Sequence, residues 1–222
     1  MREMENIKRS YELDIYKVLH EIKNPLTVVS GYLELMNGGG DYEKFYQIIE
    51  EEVNRTLSII KNYSMKKDLI FEEVEISYFM EEIQSILGDL YGSFDVSIKL
   101  EGEEDIFLYT SYDVLKQIVM NLIKNSYEAK KDSPLVIHIS WKRDKIHTII
   151  EIQDNGVGMD SSELKKVGKE FYTTKENGTG LGISFIREMM KKLDGFLEFD
   201  SKKGVGTVVK LTFFNKKNSE EF

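Results

Sequence analysis

Two apolar periodicities in the first third of the chain restrict its fold more than anything else in the sequence. Ile15, Ile22, Val29 and Met36 recur every seven residues, and Leu19, Leu26 and Leu33 form a second seven-residue series. Val18 and Tyr32 mark a third seam whose middle position is Pro25. Together they predict a helix from about Ile7 to Met36 whose apolar face suits a bundle better than a two-stranded coiled coil. Gly38, Gly39 and Gly40 end it, because consecutive glycines are costly in a helix and easy in a turn. Asp41 is a suitable N-cap for a second helix to about Lys67, in which Phe45, Ile48, Ile49, Val53, Thr56, Leu57, Ile60 and Tyr63 keep a helical period. So short a connection implies an antiparallel hairpin. Two helices cannot cover such wide faces alone, and the expected solution is a homodimer that closes a four-helix bundle.

From about Leu69 the pattern changes. Leu135 to Trp141 and Ile146 to Gln153 are alternating or β-branched runs joined by the polar turn KRDK, which predicts a hairpin. Phe196 to Phe199 and Val205 to Phe213 predict a second antiparallel pair across DSKKGVG. Helical patterns fall at about Ser77 to Leu90, Tyr112 to Lys130 and Leu181 to Leu193. The fold class expected is a helical hairpin, 1–68, followed by an α+β sandwich, 69–216, with one mixed sheet and helices on one face. Residues 217–222 close the chain as a frayed tail.

Composition narrows the function. The formal net charge of −9 argues against a general nucleic-acid binder, which needs a basic surface. With no cysteine, disulfides and thiolate metal sites are excluded, and a cytoplasmic setting is permitted. No apolar run approaches the roughly 20 residues that span a bilayer, and no signal-peptide pattern precedes the first helix. The segment is therefore expected to be soluble, without membrane contact of its own, and is equally compatible with the cytoplasmic part of a longer sensor protein.

Three stretches of the second half carry chemistry. In NLIKNSYEA, Asn121 and Asn125 are four apart and share a helix face. A carboxamide oxygen is a neutral ligand suited to Mg²⁺, although asparagines are also ordinary polar positions on a helix. In DNGVGM, Asp154 ends a β run, and Gly156 and Gly158 follow. A carboxylate at a strand end can accept from an exocyclic amine while glycines let the backbone approach a flat ligand; the plain alternative is a turn. FYTTKENGTGLGI is a hydroxyl- and glycine-rich loop running into a helix, the arrangement that cradles phosphate on backbone N–H groups. It lacks the Walker spacing and, with no strand before it, the dinucleotide fingerprint.

In order and spacing these stretches resemble the asparagine, first glycine, phenylalanine and second glycine boxes of sensor histidine kinases, and HEIKNP, from His20 to Pro25, looks like that family's histidine box. The resemblance covers about residues 7 to 214, and the histidine box most resembles the kinases of endospore-forming bacteria and of the nitrogen-regulation type. It implies the ATP-binding fold shared with gyrase-type and heat-shock-type ATPases, with ATP and Mg²⁺ as ligands. Carried over by position, Asn121 and Asn125 would face the nucleotide, with Asn125 holding Mg²⁺. Asp154 would bind the adenine amine, Gly156 and Gly158 would lie under the base, and Thr207 would support it through a water. Phe171, Thr173, Thr174 and Lys175 would belong to a mobile lid, and Gly178, Thr179, Gly180, Leu181 and Gly182 would line the phosphates. Two positions depart from the family: Glu128 stands where many members have a lysine, and Lys169 and Glu170 stand where a Glu-Pro or similar pair is common.

The histidine box then acquires a purpose. His20 lies outside the apolar seams, where a nucleotide can reach it, and neutral imidazole is a competent nucleophile near pH 7. The resemblance implies attack by Nε2. Glu21 is placed to accept a hydrogen bond from Nδ1–H and take up the proton. Asn24, one turn on, is implied to orient water for dephosphorylating a partner response regulator, whose receiver-domain aspartate is the expected acceptor. Pro25 removes the backbone donor that would serve the Glu21 carbonyl and is expected to bend the helix. An amide at Asn121 has no basicity for activating water, which favours transfer over a conformational ATPase clamp. A non-catalytic dimerisation scaffold is the other alternative, disfavoured by the intact Asn125, Asp154 and glycine set.

Overall fold

The computed structural model describes residues 2–65, 69–91, 96–131, 133–169, 172–173 and 182–215. The chain divides into two compact units, Met1–Asp68 and Leu69–Phe222.

The first unit is an α-hairpin of α1 (Arg2–Asn37) and α2 (Tyr42–Met65). Helix α1 starts before the expected Ile7 and continues through Pro25 without interruption. Gly40 makes the turn possible by close approach: a Cβ there would come within 2.8 Å of the Phe45 ring, which itself packs on Tyr32 at 5.5 Å between centroids. Asp41 caps α2, its Oδ1 accepting the Lys44 N–H at 3.1 Å. The seams separate in space. Pro25 is buried, Val18, Ile22, Val29, Tyr32 and Met36 are half-buried, and Leu19, Leu26 and Leu33 are exposed. On α2, Thr56 and Ile59 are buried, while Val53, Leu57 and Ile60 are exposed. The hairpin thus covers one apolar stripe and leaves the leucine series open.

The second unit begins with β1 (Glu72–Glu75), α3 (Ile76–Tyr91), β2 (Val96–Gly102), β3 (Phe107–Thr110) and α4 (Tyr112–Glu128). It continues with β4 (Leu135–Arg143), β5 (His147–Asp154), a short α5 (Ser161–Leu164), α6 (Gly182–Lys192), β6 (Gly195–Lys202) and β7 (Gly206–Phe214). The main sheet runs β2-β4-β5-β7-β6; β2 and β4 are parallel and the other pairs antiparallel. Strands β1 and β3 form a separate antiparallel ribbon. Alternation on the sheet puts Leu135, Ile137, Ile139 and Trp141 of β4, Ile150 and Ile152 of β5, and Val209, Leu211 and Phe213 of β7 in the core. Phe79, Met80 and Ile83 of α3, Leu115, Ile118 and Leu122 of α4, and Phe185, Ile186 and Met189 of α6 are buried with them. Sequence reading anticipates the two hairpins and three of the four helices, but not β1, β2, β3 or α5. β1, β3 and α5 are four residues each, too short to show a period, while β2 does alternate and takes its place by pairing with β4.

Two polar devices hold this layer. Across α3 and α4, the Tyr112 hydroxyl donates to Glu82, whose other oxygen accepts from Lys116 at 2.8 Å. Burial, then the Glu82 hydrogen bond, pushes the Tyr112 phenol up to about 12. Lys116, then Tyr112, holds the Glu82 carboxyl below the ordinary value. At α5, Asp160 forms a capping box with Glu163, and the donated N–H of Glu163, then Ser162, lowers its carboxyl to about 2. The two histidines of the sheet have carboxylate neighbours that sequence reading does not foresee: His138 meets Glu101 at 3.0 Å, and His147 lies 3.6 Å from Asp144. Among the described residues, no helix is long and apolar enough to cross a membrane.

Candidate functional site

On α1 the three residues marked by the sequence lie where its period puts them. His20 and Asn24 are exposed one turn apart, and Glu21 is half-buried beside them. Pro25, next in the chain, turns inward and is the one buried residue among the described side chains of α1. A ring in solvent and a proline in the hairpin core thus sit on one helix, with Asn24 between them on the exposed face. The Thr27 hydroxyl donates back to the Lys23 carbonyl at 2.8 Å, a bond that locally competes with the helical ladder where the proline already lacks a donor.

In the second unit the site forms where α4, the end of β5 and the start of β7 meet. Asp154 is the last residue of β5 and pairs in register with Thr207 of β7. Its carboxylate is buried, with 8% of the residue exposed. Oδ1 accepts the Gly156 N–H at 2.8 Å and the Thr207 N–H at 3.3 Å, and Oδ2 accepts from the Ser126 hydroxyl at 3.1 Å. Donors from three elements compensate the burial of this carboxylate.

The glycines are needed for close approach. At Gly156 a Cβ would lie 2.6 Å from the Ala129 carbonyl oxygen, which accepts the Val157 N–H at 2.8 Å. At Gly158 φ is +62°, and a Cβ would lie 2.2 Å from the Lys202 carbonyl oxygen. Side chains would therefore separate the DNGVGM turn from both the end of α4 and the β6–β7 turn. The Gly204 N–H, bonded to the Val157 carbonyl at 2.7 Å, ties that second contact. Thr207 and Ser201 hydroxyls lie 2.9 Å apart, and Ser201 also accepts the Met159 N–H.

Asn121 and Asn125 project from α4, one turn apart, on the helix that carries Ser126. Asn121 Nδ2 is buried and has no hydrogen-bond partner among the described residues. Glu128, at the departure from the family pattern, is 3.7 Å from Lys124. Thr173 is exposed, and Gly182 is the first residue of α6. Phe171, Thr174, Lys175, Gly178, Thr179, Gly180 and Leu181 lie outside the described residues. The structure thus brings Asp154, Gly156, Gly158 and Thr207 together. It adds Ser126 and Ala129, which sequence reading passes over. Their signal was present, since Ser126 directly follows Asn125, but a serine inside a helix reads as filler until a carboxylate is placed beside it.

The donor set fits a nucleotide with a hard cation. Mg²⁺ takes one or two protein oxygens and completes its shell with phosphates and water, so one carboxamide oxygen suffices from the protein side. The Asn121 Nδ2, without a partner among the described residues, is the type of donor a phosphate oxygen would satisfy.

Residues 15–67 match the His Kinase A (phospho-acceptor) domain, and residues 110–217 match the family of histidine kinase-, DNA gyrase B-, and HSP90-like ATPases. Sporulation kinase B of Bacillus subtilis (strain 168) is 36% identical over 203 residues, covering 86% of this chain and 47% of that protein. Sporulation kinase E of the same organism is 31% identical over 210 residues, 92% of this chain and 28% of that protein. The chain therefore spans less than half the length of either relative. Among solved structures, the histidine kinase AdeS of Acinetobacter baumannii superposes with a TM-score of 0.71 at 17% identity, covering 89% of this chain and 98% of that one. Histidine kinase ThkA, solved in complex with response regulator protein TrrA, gives a TM-score of 0.74 at 22% identity, covering 99% and 67%. These likenesses share the fold, a helical hairpin followed by an α/β ATPase domain.

Proposed function

We propose, for a chain that belongs to the sensor histidine kinases, that ATP bound on its second unit phosphorylates His20 and that the phosphoryl group passes to an aspartate on a response-regulator receiver domain. The observation that carries the reading is the buried Asp154 carboxylate, fixed by Gly156, Thr207 and Ser126 with an acceptor site left on Oδ2 among the described residues. Asp154 accepts from the adenine amine, and the turn of Gly156 and Gly158 lies under the base. Asn121 donates to phosphate, and Asn125 would hold Mg²⁺. Bound there, Mg²⁺ would neutralise charge on the β- and γ-phosphates as the terminal bond breaks. Phosphoryl transfer needs little else from the protein than position and charge stabilisation.

The acceptor step is a balanced displacement. His20 Nε2 forms a bond to the γ-phosphorus as the bond to the ADP oxygen breaks. The Nδ1 proton passes to Glu21, leaving a neutral phosphorylated imidazole. An amide at Asn121 cannot take a proton from water, which favours this transfer over hydrolysis. Asn24, one turn beyond His20, orients water in the reverse task of dephosphorylating the regulator. The exposed leucine series of α1, with Leu57 and Ile60 of α2, is covered by a second copy in a four-helix bundle acting in the cytoplasm.

The test is incubation with γ-labelled ATP and Mg²⁺. The expected product is protein-bound label that is stable in alkali, lost in acid and absent from His20→Gln, and that moves to an added receiver domain. Released phosphate without labelled protein would overturn the reading.

A further inference from the structure

We infer that Ser126 is a positioning residue that sets the nucleobase selectivity of Asp154; the inference rests on reading Asp154 as the group that meets the adenine amine. Ser126 is only 5% exposed, and its hydroxyl has one proton but two acceptors in reach: the Leu122 carbonyl at 3.2 Å and Asp154 Oδ2 at 3.1 Å. If the proton went to Leu122, oxygen lone pairs would face the carboxylate across 3.1 Å in a buried setting. A bond to an ionised acceptor is about twice as strong as one to a neutral carbonyl, so the proton goes to Asp154.

The consequence lies in how the two carboxylate oxygens are divided. Oδ1 already holds two backbone N–H donors, from Gly156 and Thr207, and its acceptor sites are filled. Oδ2 holds Ser126 alone among the described residues, which leaves one acceptor site. The carboxylate therefore presents a single oriented acceptor to a base. A purine with an exocyclic amine donates into it. A purine with a carbonyl at the same carbon sets lone pair against charge and leaves the buried site unsatisfied, the kind of mismatch that separates ligands strongly. Without the hydroxyl, only Oδ1 is restrained, and the carboxylate turns to accept from water or from other edges of a base. Ser126 acts through Asp154 and need not touch the nucleotide.

The experiment measures affinity of the 222-residue chain for ATP and for inosine triphosphate, which carries a carbonyl in place of the amine. Ser126→Ala is expected to weaken ATP binding about tenfold and to leave inosine triphosphate within about twofold, narrowing the preference about tenfold. The rate of His20 labelling at saturating ATP is expected to stay within about twofold, so the change is in KM rather than kcat. Ser126→Thr, which retains the hydroxyl, is expected to restore the preference. Ser126→Cys, near-isosteric but a weak donor, should behave as alanine does, and carries the test if the alanine variant melts early. In an Asp154→Asn background, Ser126→Ala is expected to have no further effect, which a merely structural role would not produce. A Ser126→Ala preference unchanged while Asp154→Asn abolishes it overturns the role of Ser126 and leaves the adenine reading standing. A preference that survives Asp154→Asn sinks both.

Discussion

Replacing Gly158 by alanine is expected to destabilise the second unit by about 3 kcal/mol, and the comparison with Gly204→Ala separates the causes. Both glycines have positive φ, +62° and +80°, so an alanine at either meets the left-handed penalty of about 1–2 kcal/mol. Only Gly158 faces an obstacle. Its Cβ would lie 2.2 Å from the Lys202 carbonyl oxygen and 3.0 Å from that of Gly206, both backbone, whereas Gly204 has nothing within 4 Å. Backbone cannot rotate aside as a side chain can, so the β6–β7 turn must move, and overpacking of this sort costs about 1–3 kcal/mol. The gain from a less flexible unfolded chain is common to both variants and cancels in the difference. Gly158→Ala should therefore be about 2 kcal/mol worse than Gly204→Ala in urea unfolding. The same displacement draws the Thr207 N–H from Asp154 Oδ1, already at 3.3 Å, so ATP affinity should fall at least about tenfold in Gly158→Ala alone. Equal stability losses in the two variants, or a Gly158→Ala protein with unchanged ATP affinity, would refute the reasoning.

Three further outcomes are expected. Leu26 is 47% exposed, and full burial of a leucine is worth about 1.5–3 kcal/mol, so covering the remaining half contributes about 1 kcal/mol per protomer. Leu26→Ser should then weaken the dimer by about 2 kcal/mol, roughly 30-fold, in sedimentation equilibrium, and an unchanged dissociation constant would remove that face from the interface. For Tyr112 the folded state favours the neutral phenol: its stabilisation is fully present below the unfolded value of about 10 and is lost as pH rises through about 12. Ultraviolet titration should show one phenol ionising near there, and Glu82→Gln should bring it down. Pro25→Ala should raise thermal stability of the helical hairpin, since an interior proline costs about 3 kcal/mol, and should alter the ratio of His20 labelling to transfer; unchanged activities would show that the bend expected at the proline has no part in either step.

The helical hairpin was legible because its signal is local. A seven-residue apolar repeat, three glycines and an aspartate cap act over a few turns, and α2 begins directly after Asp41 as expected. The outward position of His20 also follows from period alone. In the second unit the long alternating strands β4, β5 and β7 announce themselves, while EEVE of β1 and FLYT of β3 exist only because they pair with each other. The parallel pairing of β2 with β4 has the same character: VSIKLEG gains its place from a partner about 40 residues away in the chain. Asp154 was conspicuous as an acid before two glycines, and Gly156 and Thr207 were marked with it, yet the third residue that holds it, Ser126, was not.

By itself the sequence determined the helical hairpin and the longer strands and helices after it, the exposure of His20, and the residue types able to meet a base, a phosphate and a cation. Those follow from covalent neighbours, through helical period, turn chemistry and side-chain functional groups. Tertiary structure alone decided which apolar seams are covered and which leucines stay exposed, and that Ser126 of α4 reaches a carboxylate 28 residues away. Such facts depend on which faces pack together. A hydroxyl in a helix has no assigned partner until burial removes water and leaves one charged acceptor within 3.1 Å.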